Sequence, residues 1–266
     1  MDSTAKLEAL AGIAESFRPY TPIDDLDLFA GRLEQAAAVL ETIYESGRHV
    51  IIYGDRGVGK TSLANVIDEL LQRRGVSGRG RPSVVRVICE SSDDFSSVWQ
   101  RVFSRLTVTS RVRRIGLTGE DSERQASFAE MIPPHVRPPD VADAAALIGR
   151  TVIILDEFDR LTNRETRRSF ADTLKSLSDY DSSMTVVIVG VGRDVTDLIG
   201  EHESVERCLR QVHMPRMSRE EIESIIDTGL AHAGLTIDTA AKTRIIALSQ
   251  GFPHYTHLLC KHAAQE

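Results

Sequence analysis

Gly54, Gly59, Lys60 and Thr61 stand at the spacing G-x-x-x-x-G-K-[ST], with Asp55, Arg56, Gly57 and Val58 between them and Ser62 directly after. The stretch lies between two apolar runs, so a strand-like segment gives way to three glycines, a cation and a hydroxyl. That combination suits a polyphosphate. The glycines let successive backbone N–H groups turn inward as an anion nest. A helix opening at Lys60 adds unpaired donors and the positive end of its dipole. Lys60 is then placed to reach the β- and γ-phosphates, and the Thr61 hydroxyl to ligate Mg²⁺. Hydrolysis needs further carboxylates, and "TVIILDEFDR" supplies them, with apolar β-formers leading into Asp156 and Glu157. Asp156 is expected beside the Mg²⁺, through a water, and Glu157 is expected to polarise the attacking water. Asp159 and Arg160 could form part of the site's rim, with a solvated charge pair as the default reading.

The elements that must hold these residues follow from hydrophobic periodicity. "RHVIIYG", "SVVRVICE", "TVIILDEFD", "TVVIVGVG" and the weaker "RQVHMP" read as strands. Helices are expected at 62–74, over "DDFSSVWQRVFSRL" and at about 165–177. Another is expected where Leu33, Ala36, Ala37, Leu40, Ile43 and Tyr44 recur at helical spacing, with Gly47 as its C-terminal cap. Apolar strands alternating with helices predict an α/β fold built on a parallel five-stranded sheet flanked by helices. From Met217 onward strands cease. Ser218 and Glu221 stand at capping-box spacing, and the segments that follow predict a small all-helical lid. The expected division is an N-terminal arm at 1–28, an α/β nucleotide-binding domain at 29–216 with an insertion at about 107–150, and the lid at 217–266. The last helix has no stop signal, which predicts a longer natural chain.

Composition narrows the class. The 266 residues are 41% hydrophobic, enough for a sizeable core. A net charge of -7 excludes a globally basic nucleic-acid coat but not a local basic patch. Cys89, Cys208 and Cys260 are far apart and odd in number, which fits a reducing cytoplasm rather than a disulfide framework. The N-terminal residues lack the apolar core of a signal peptide, and no run approaches the ~18 apolar residues of a membrane span.

The segment 107–150 holds "SRVRRIGL" and then "PPHVRPP", with four of the nine prolines. A surface insertion is the default reading. The alternative is that the Arg111–Arg114 region, through Arg111, Arg113 and Arg114, touches nucleic acid or an acidic partner.

"GDRGVGKTSL" together with "VIILDEFDR" resembles the Walker A and Walker B motifs of the AAA+ ATPases. "LFAGRLEQ" is similar to the Gly-Arg lead-in of the branch that contains origin-recognition-type initiators and signal-transducing STAND NTPases. "GFPHYTHLLC" resembles the sensor 2 helix of transposition- and secretion-type ATPases. The resemblance spans Phe17 to Ala264. It implies a five-stranded AAA+ sheet with a helical lid, ATP or ADP and Mg²⁺ as ligands, Thr61 and Asp156 at the metal, and Glu157 as catalytic glutamate. It also implies that Arg207 is an arginine finger for a neighbouring subunit, with Arg210 the alternate and a plain helix-surface arginine the other reading. Two positions depart from the pattern: Gly192 and Arg193 replace the polar sensor 1 residue, and His254 stands where sensor 2 is usually arginine. His254 reads equally as an ordinary helix-start residue. His254, His257 and Cys260 recur three apart, but without a further ligand they do not read as a metal site. By the same resemblance adenine lies between arm and lid, with Tyr20, Ile23 and Phe29 as contacts, although Phe29 also fits the core. Arg32 supports the phosphates or pairs with an acidic neighbour.

Three functions follow in order. The first is a Mg²⁺-dependent ATPase whose nucleotide state changes its lid and its homo- or hetero-oligomeric assembly. The second is a nucleotide-operated switch with little turnover. The third, a phosphotransferase, would need an acceptor-binding lid that the helical tail suits poorly.

Overall fold

Strings of Val, Ile and Leu fill the interior strands of this chain, and their alternation decides which side chain faces which layer of helices. The computed structural model describes residues 3–73, 81–112, 122–180, 182–200 and 203–265. In chain order the elements are α1 (Ser3–Ser16), α2 (Leu33–Ile43), β1 (His49–Gly54), α3 (Lys60–Arg73), β2 (Ser83–Ile88), α4 (Phe95–Ser104), β3 (Thr107–Val112) and β4 (Ser122–Ser127). There follow α5 (Pro138–Leu147), β5 (Thr151–Asp156), α6 (Arg164–Asp179), β6 (Met184–Val191), α7 (Thr196–Ile199), α8 (Glu203–Glu206), β7 (Leu209–His213), α9 (Arg219–Ala233), α10 (Thr239–Ser249) and α11 (Pro253–Ala263).

The main sheet has the order β2-β5-β6-β1-β7 with every neighbouring pair parallel. Its five strands are the five expected from sequence. Ile51, Ile153, Leu155, Val186 and Ile188 face one layer with α4, α5 and α6, while Val50, Ile52, Val152, Ile154, Val187 and Val189 face α2 and α3. Both faces are therefore covered, as parallel sheets require. In a parallel α/β sheet the strand C-termini end together, and here β1, β5 and β6 deliver Gly54, Asp156 and Val191 to one edge.

Helices α9, α10 and α11 form a third apolar cluster, and α1 joins it through Ile13 and Phe17. The capping box at α9 is present: Ser218 Oγ accepts from Glu221 N, and the Glu221 carboxylate accepts from Ser218 N at 2.8 Å. Within the segment expected as an arm, α1 packs into the C-terminal helical cluster, and the stretch that follows it is bonded to α3 through Ile23 and Leu26.

The segment 107–150, expected as a surface insertion, contains regular elements among its described residues. It begins with the antiparallel hairpin β3–β4 and ends with α5, whose Val141, Ala144 and Ala145 are buried in the main core. Pro138 and Pro139 open α5 at its first turn, where a missing N–H costs nothing. Arg113 and Arg114 lie outside the described residues. Gly47 is not the cap of α2 either. That helix closes at Tyr44, and Gly47 turns with φ +68° three residues later.

Candidate functional site

The loop from Gly54 to Gly59 connects β1 to α3. Gly54 has φ +150°, and a Cβ there would lie 2.3 Å from the Met214 carbonyl oxygen, so only glycine lets the strand end pass the connector beyond β7. Gly59, at φ +95°, turns the chain into the helix directly before Lys60. Lys60 is buried. Its Nζ donates to the carbonyls of Gly54 at 2.9 Å and Asp55 at 2.7 Å. Burial lowers the Lys60 pKa, and the charges of Asp159, Asp156 and Asp55 oppose that shift.

Opposite, β5 ends in Asp156, which is 2% exposed. Its Oδ1 accepts from Glu157 N at 2.9 Å and lies 3.4 Å from the Thr61 hydroxyl. Glu157 adopts left-handed backbone, φ 53°, which is unusual for a residue with a side chain. Its carboxylate meets Arg160 Nε at 2.6 Å. Asp159 does not form the solvated pair expected with Arg160. Its Oδ1 accepts from Val191 N at 2.8 Å, which joins the turn after β5 to the end of β6.

Between these two loops lies a cleft of about 550 Å³. Tyr20, Ile23, Arg56, Gly57, Gly59, Lys60, Thr61, Ser62, Asp156, Glu157 and His254 all line it. The arm is fixed there by Ile23 N donating to Ser62 Oγ at 3.0 Å. His254 Nδ1 lies 2.6 Å from the Pro19 carbonyl. A carbonyl only accepts, so Nδ1 carries the proton in that contact. His254 therefore bolts α11 to the arm. His257, one turn on, is buried and its imidazole is pushed down to about 4 by burial and by His254.

Other expected residues lie elsewhere. Val58 is fully buried in the core beneath the loop, and Asp55 points outward, 3.9 Å from Arg216. Arg32 is buried, donates to the Pro215 carbonyl and pairs with Glu221 at 3.6 Å. It ties the lead-in to α9 and lines a small cavity with Phe29 and Val58 rather than the main cleft. Arg193 is exposed, and Gly190 and Val191, not Gly192 and Arg193, line the cleft at the end of β6. Arg207 is exposed and pairs with Asp179 at 2.8 Å. Leu209, two residues later, pairs with His49 at the start of β1, so Arg207 lies at the sheet end opposite the cleft. Five residues of strand separate the two ends, roughly 17 Å. Arg207 cannot reach its own chain's cleft.

Asp159 and Arg160 both line the cleft, as the rim reading of the sequence expects, whereas Arg18, Asn65 and Arg86 carry no sequence signal for the site. The Arg86 guanidinium, from β2, meets both Asp156 and Asn65.

Hard oxygen donors from Asp156 and Thr61 fit a magnesium ion rather than a softer metal. Among the described residues no group of three His, Cys, Asp or Glu side chains could hold a metal alone. Such an ion would therefore depend on phosphate and water oxygens to complete its shell, as nucleotide-bound magnesium does. No helix of the described residues is long and apolar enough to cross a membrane.

A family model described as Novel STAND NTPase 1 matches residues 15–264. Among solved structures, the Walker-type ATPase PABY2304 of Pyrococcus abyssi superposes with TM-score 0.61 at 15% identity, covering 90% of this chain and 68% of that one. The Aeropyrum pernix ORC1 protein in complex with DNA gives 0.61 at 17%, covering 94% and 62%. The RuvB Holliday junction branch migration motor of Thermotoga maritima gives 0.51 at 18%, covering 90% and 64%. The chain thus spans about 64% of the RuvB length. These likenesses show a shared AAA+ P-loop fold. No curated protein matches by sequence.

Proposed function

The chain belongs to the novel STAND NTPase 1 family, and from that premise we propose that it binds ATP and ADP with Mg²⁺ and couples the nucleotide state to assembly or to a macromolecular partner. One observation carries this reading. Lys60 and Thr61 face Asp156 and Glu157 across a cleft that both the arm and α11 also line. The residues that would hold phosphate, metal and base therefore share a cavity with the segments that would report on it.

Each group has a task. Lys60, now bonded to its own loop carbonyls, would exchange them for phosphate oxygens. Thr61 and Asp156 would hold the magnesium, which when bound neutralises charge on the phosphates. Glu157 would accept a hydrogen bond from the attacking water and orient it. Tyr20, Ile23 and His254 would border the base and ribose. Arg207 would act on the cleft of a neighbouring subunit in a head-to-tail contact. Arg111, Arg113 and Arg114 would meet nucleic acid if the partner is one.

A second reading has a specific observation in its favour. The Arg160–Glu157 pair occupies the carboxylate that hydrolysis requires. A switch that retains its nucleotide with little turnover would be built this way.

Isothermal titration with Mg²⁺-ATP tests the shared premise. Lys60→Ala should weaken binding strongly, by roughly 2–3 kcal/mol for a lost charged hydrogen-bonding group. Unchanged affinity would remove the assignment of the phosphate cradle.

A further inference from the structure

The body of β2, "SVVRVI", contains one charged residue, Arg86. Its neighbours Val85 and Val87 are buried toward α4, so Arg86 is on the face that packs against α3. In the strand register Arg86 is opposite Ile154, two residues before Asp156, and the long side chain runs forward along β5. Nη2 donates to Asp156 Oδ2, and Nη1 donates to Asn65 Oδ1 on α3. The guanidinium Nε is buried without a partner. Asn65 Nδ2 in turn donates to the Ile23 carbonyl at 3.2 Å, and Ile23 lines the nucleotide cleft. A continuous set of polar contacts therefore links the carboxylate at the end of β5 to the arm.

A carboxylate as buried as Asp156 is costly unless a cation or donors compensate it. Glu157 N and the Thr61 hydroxyl approach one oxygen, and Arg86 approaches the other. A divalent ion at the same carboxylate would supply that compensation again. The two cations repel, so each weakens the other's hold on Asp156.

Resting on the magnesium–nucleotide reading above, we propose that Arg86 is a positioning residue that shares Asp156 with the divalent cation and sets how strongly nucleotide binding depends on that cation. Its contact with Asn65 makes the arm part of the same unit. With the guanidinium present the site tolerates nucleotide when the metal is scarce. Without it, Asp156 is an uncompensated charge facing phosphates, and the metal becomes indispensable.

The test is titration of the full chain with a fluorescent ADP analogue, from EDTA through millimolar Mg²⁺. Arg86→Met should lower the Mg²⁺ midpoint roughly tenfold and weaken binding in EDTA by a similar factor. Arg86→Lys, which keeps the charge, should hold the wild-type midpoint. Asn65→Ala should leave the midpoint in place and weaken binding evenly at every Mg²⁺ concentration. Should Arg86→Met not fold in EDTA, Arg86→Gln takes its place, and a lowered Mg²⁺ midpoint in that variant supports the proposal while a wild-type midpoint overturns it. An Arg86→Met protein that binds ADP with the wild-type Mg²⁺ midpoint also overturns it. Wild-type protein that binds no ADP at any Mg²⁺ concentration would instead overturn the nucleotide reading itself.

Discussion

The two ends of the sheet are built from similar strands and solve opposite problems. At the N-terminal ends, His49 is wholly buried and both ring nitrogens are satisfied: Nε2 donates to the Leu174 carbonyl at 3.0 Å, and Nδ1 accepts from Val186 N at 3.1 Å. That histidine joins β1 to β6 and α6, and neither of its two contacts is open to exchange with a ligand. At the C-terminal ends the polar groups are also paired, but with partners a ligand could replace. Lys60 holds its own loop carbonyls, Asp156 holds Arg86, and Glu157 holds Arg160. Left-handed backbone at Glu157 and Gly59 belongs to this end as well. The pairing of His49 is permanent, whereas the pairs of Lys60, Asp156 and Glu157 are ones a ligand could replace.

The sharpest way to break this contrast is at Glu157. Glu157→Gln keeps the size of the side chain and removes the base. ATP should bind with little change while phosphate release falls by about 10²–10⁴-fold. Release at the wild-type rate would show that the exchangeable end does no chemistry through this residue.

Arg207 sharpens the comparison differently, because it is at the end without the cleft. Fingers supplied by another subunit are worth ~10³–10⁵ in rate. Its exposed pair with Asp179 costs little to release. Activity per subunit should therefore rise with protein concentration. Mixing Arg207→Ala with Lys60→Ala should restore part of the activity, since each supplies what the other lacks. Flat specific activity and no rescue on mixing would confine Arg207 to a surface role.

The closed end makes its own prediction through pH. Burial pushes the His49 imidazole down to about 4 from 6.5. The folded state thus favours the neutral ring, and below pH 6.5 the unfolded chain binds more protons. Stability should be fully present above about 6.5 and should fall as pH drops toward 4, by about 3 kcal/mol for this residue. Urea denaturation at several pH values measures it. His257 is lowered into the same window by its own burial, so His49→Gln should remove about half of the acid slope. An unchanged slope in that variant would show that His49 is not the buried base described.

These contrasts also explain what was legible beforehand. The strands and the phosphate loop were, because β-branched runs, glycine spacing and a lysine before a hydroxyl are local signals. The partners of Asp156 and Glu221 were not. Arg86 reaches Asp156 across a strand pair, and Arg32 reaches Glu221 across 189 residues, so neither contact has a local signature. Pro138 and Pro139 left α5 illegible for a different reason. Proline ends a helix in its interior and begins one in its first turn, and only the burial of Val141 and Ala144 tells the two apart.

The smallest effect, and the one that separates an ATPase from a nucleotide-holding switch, is at Arg160. The pair with Glu157 is three residues apart and about half exposed on both sides. Such pairs are worth up to ~1 kcal/mol, so freeing Glu157 should raise its availability by at most about fivefold. Arg160→Ala should therefore increase phosphate release by a factor of roughly two to five, with ATP affinity changed little. Arg160→Lys, which keeps the charge but not the planar guanidinium, should fall between the two. A decrease in release would assign Arg160 a direct role at the phosphates, since it lines the same cleft. No change would mean that Glu157 exchanges Arg160 for water at no cost, and the resting pair would then have no part in holding turnover down.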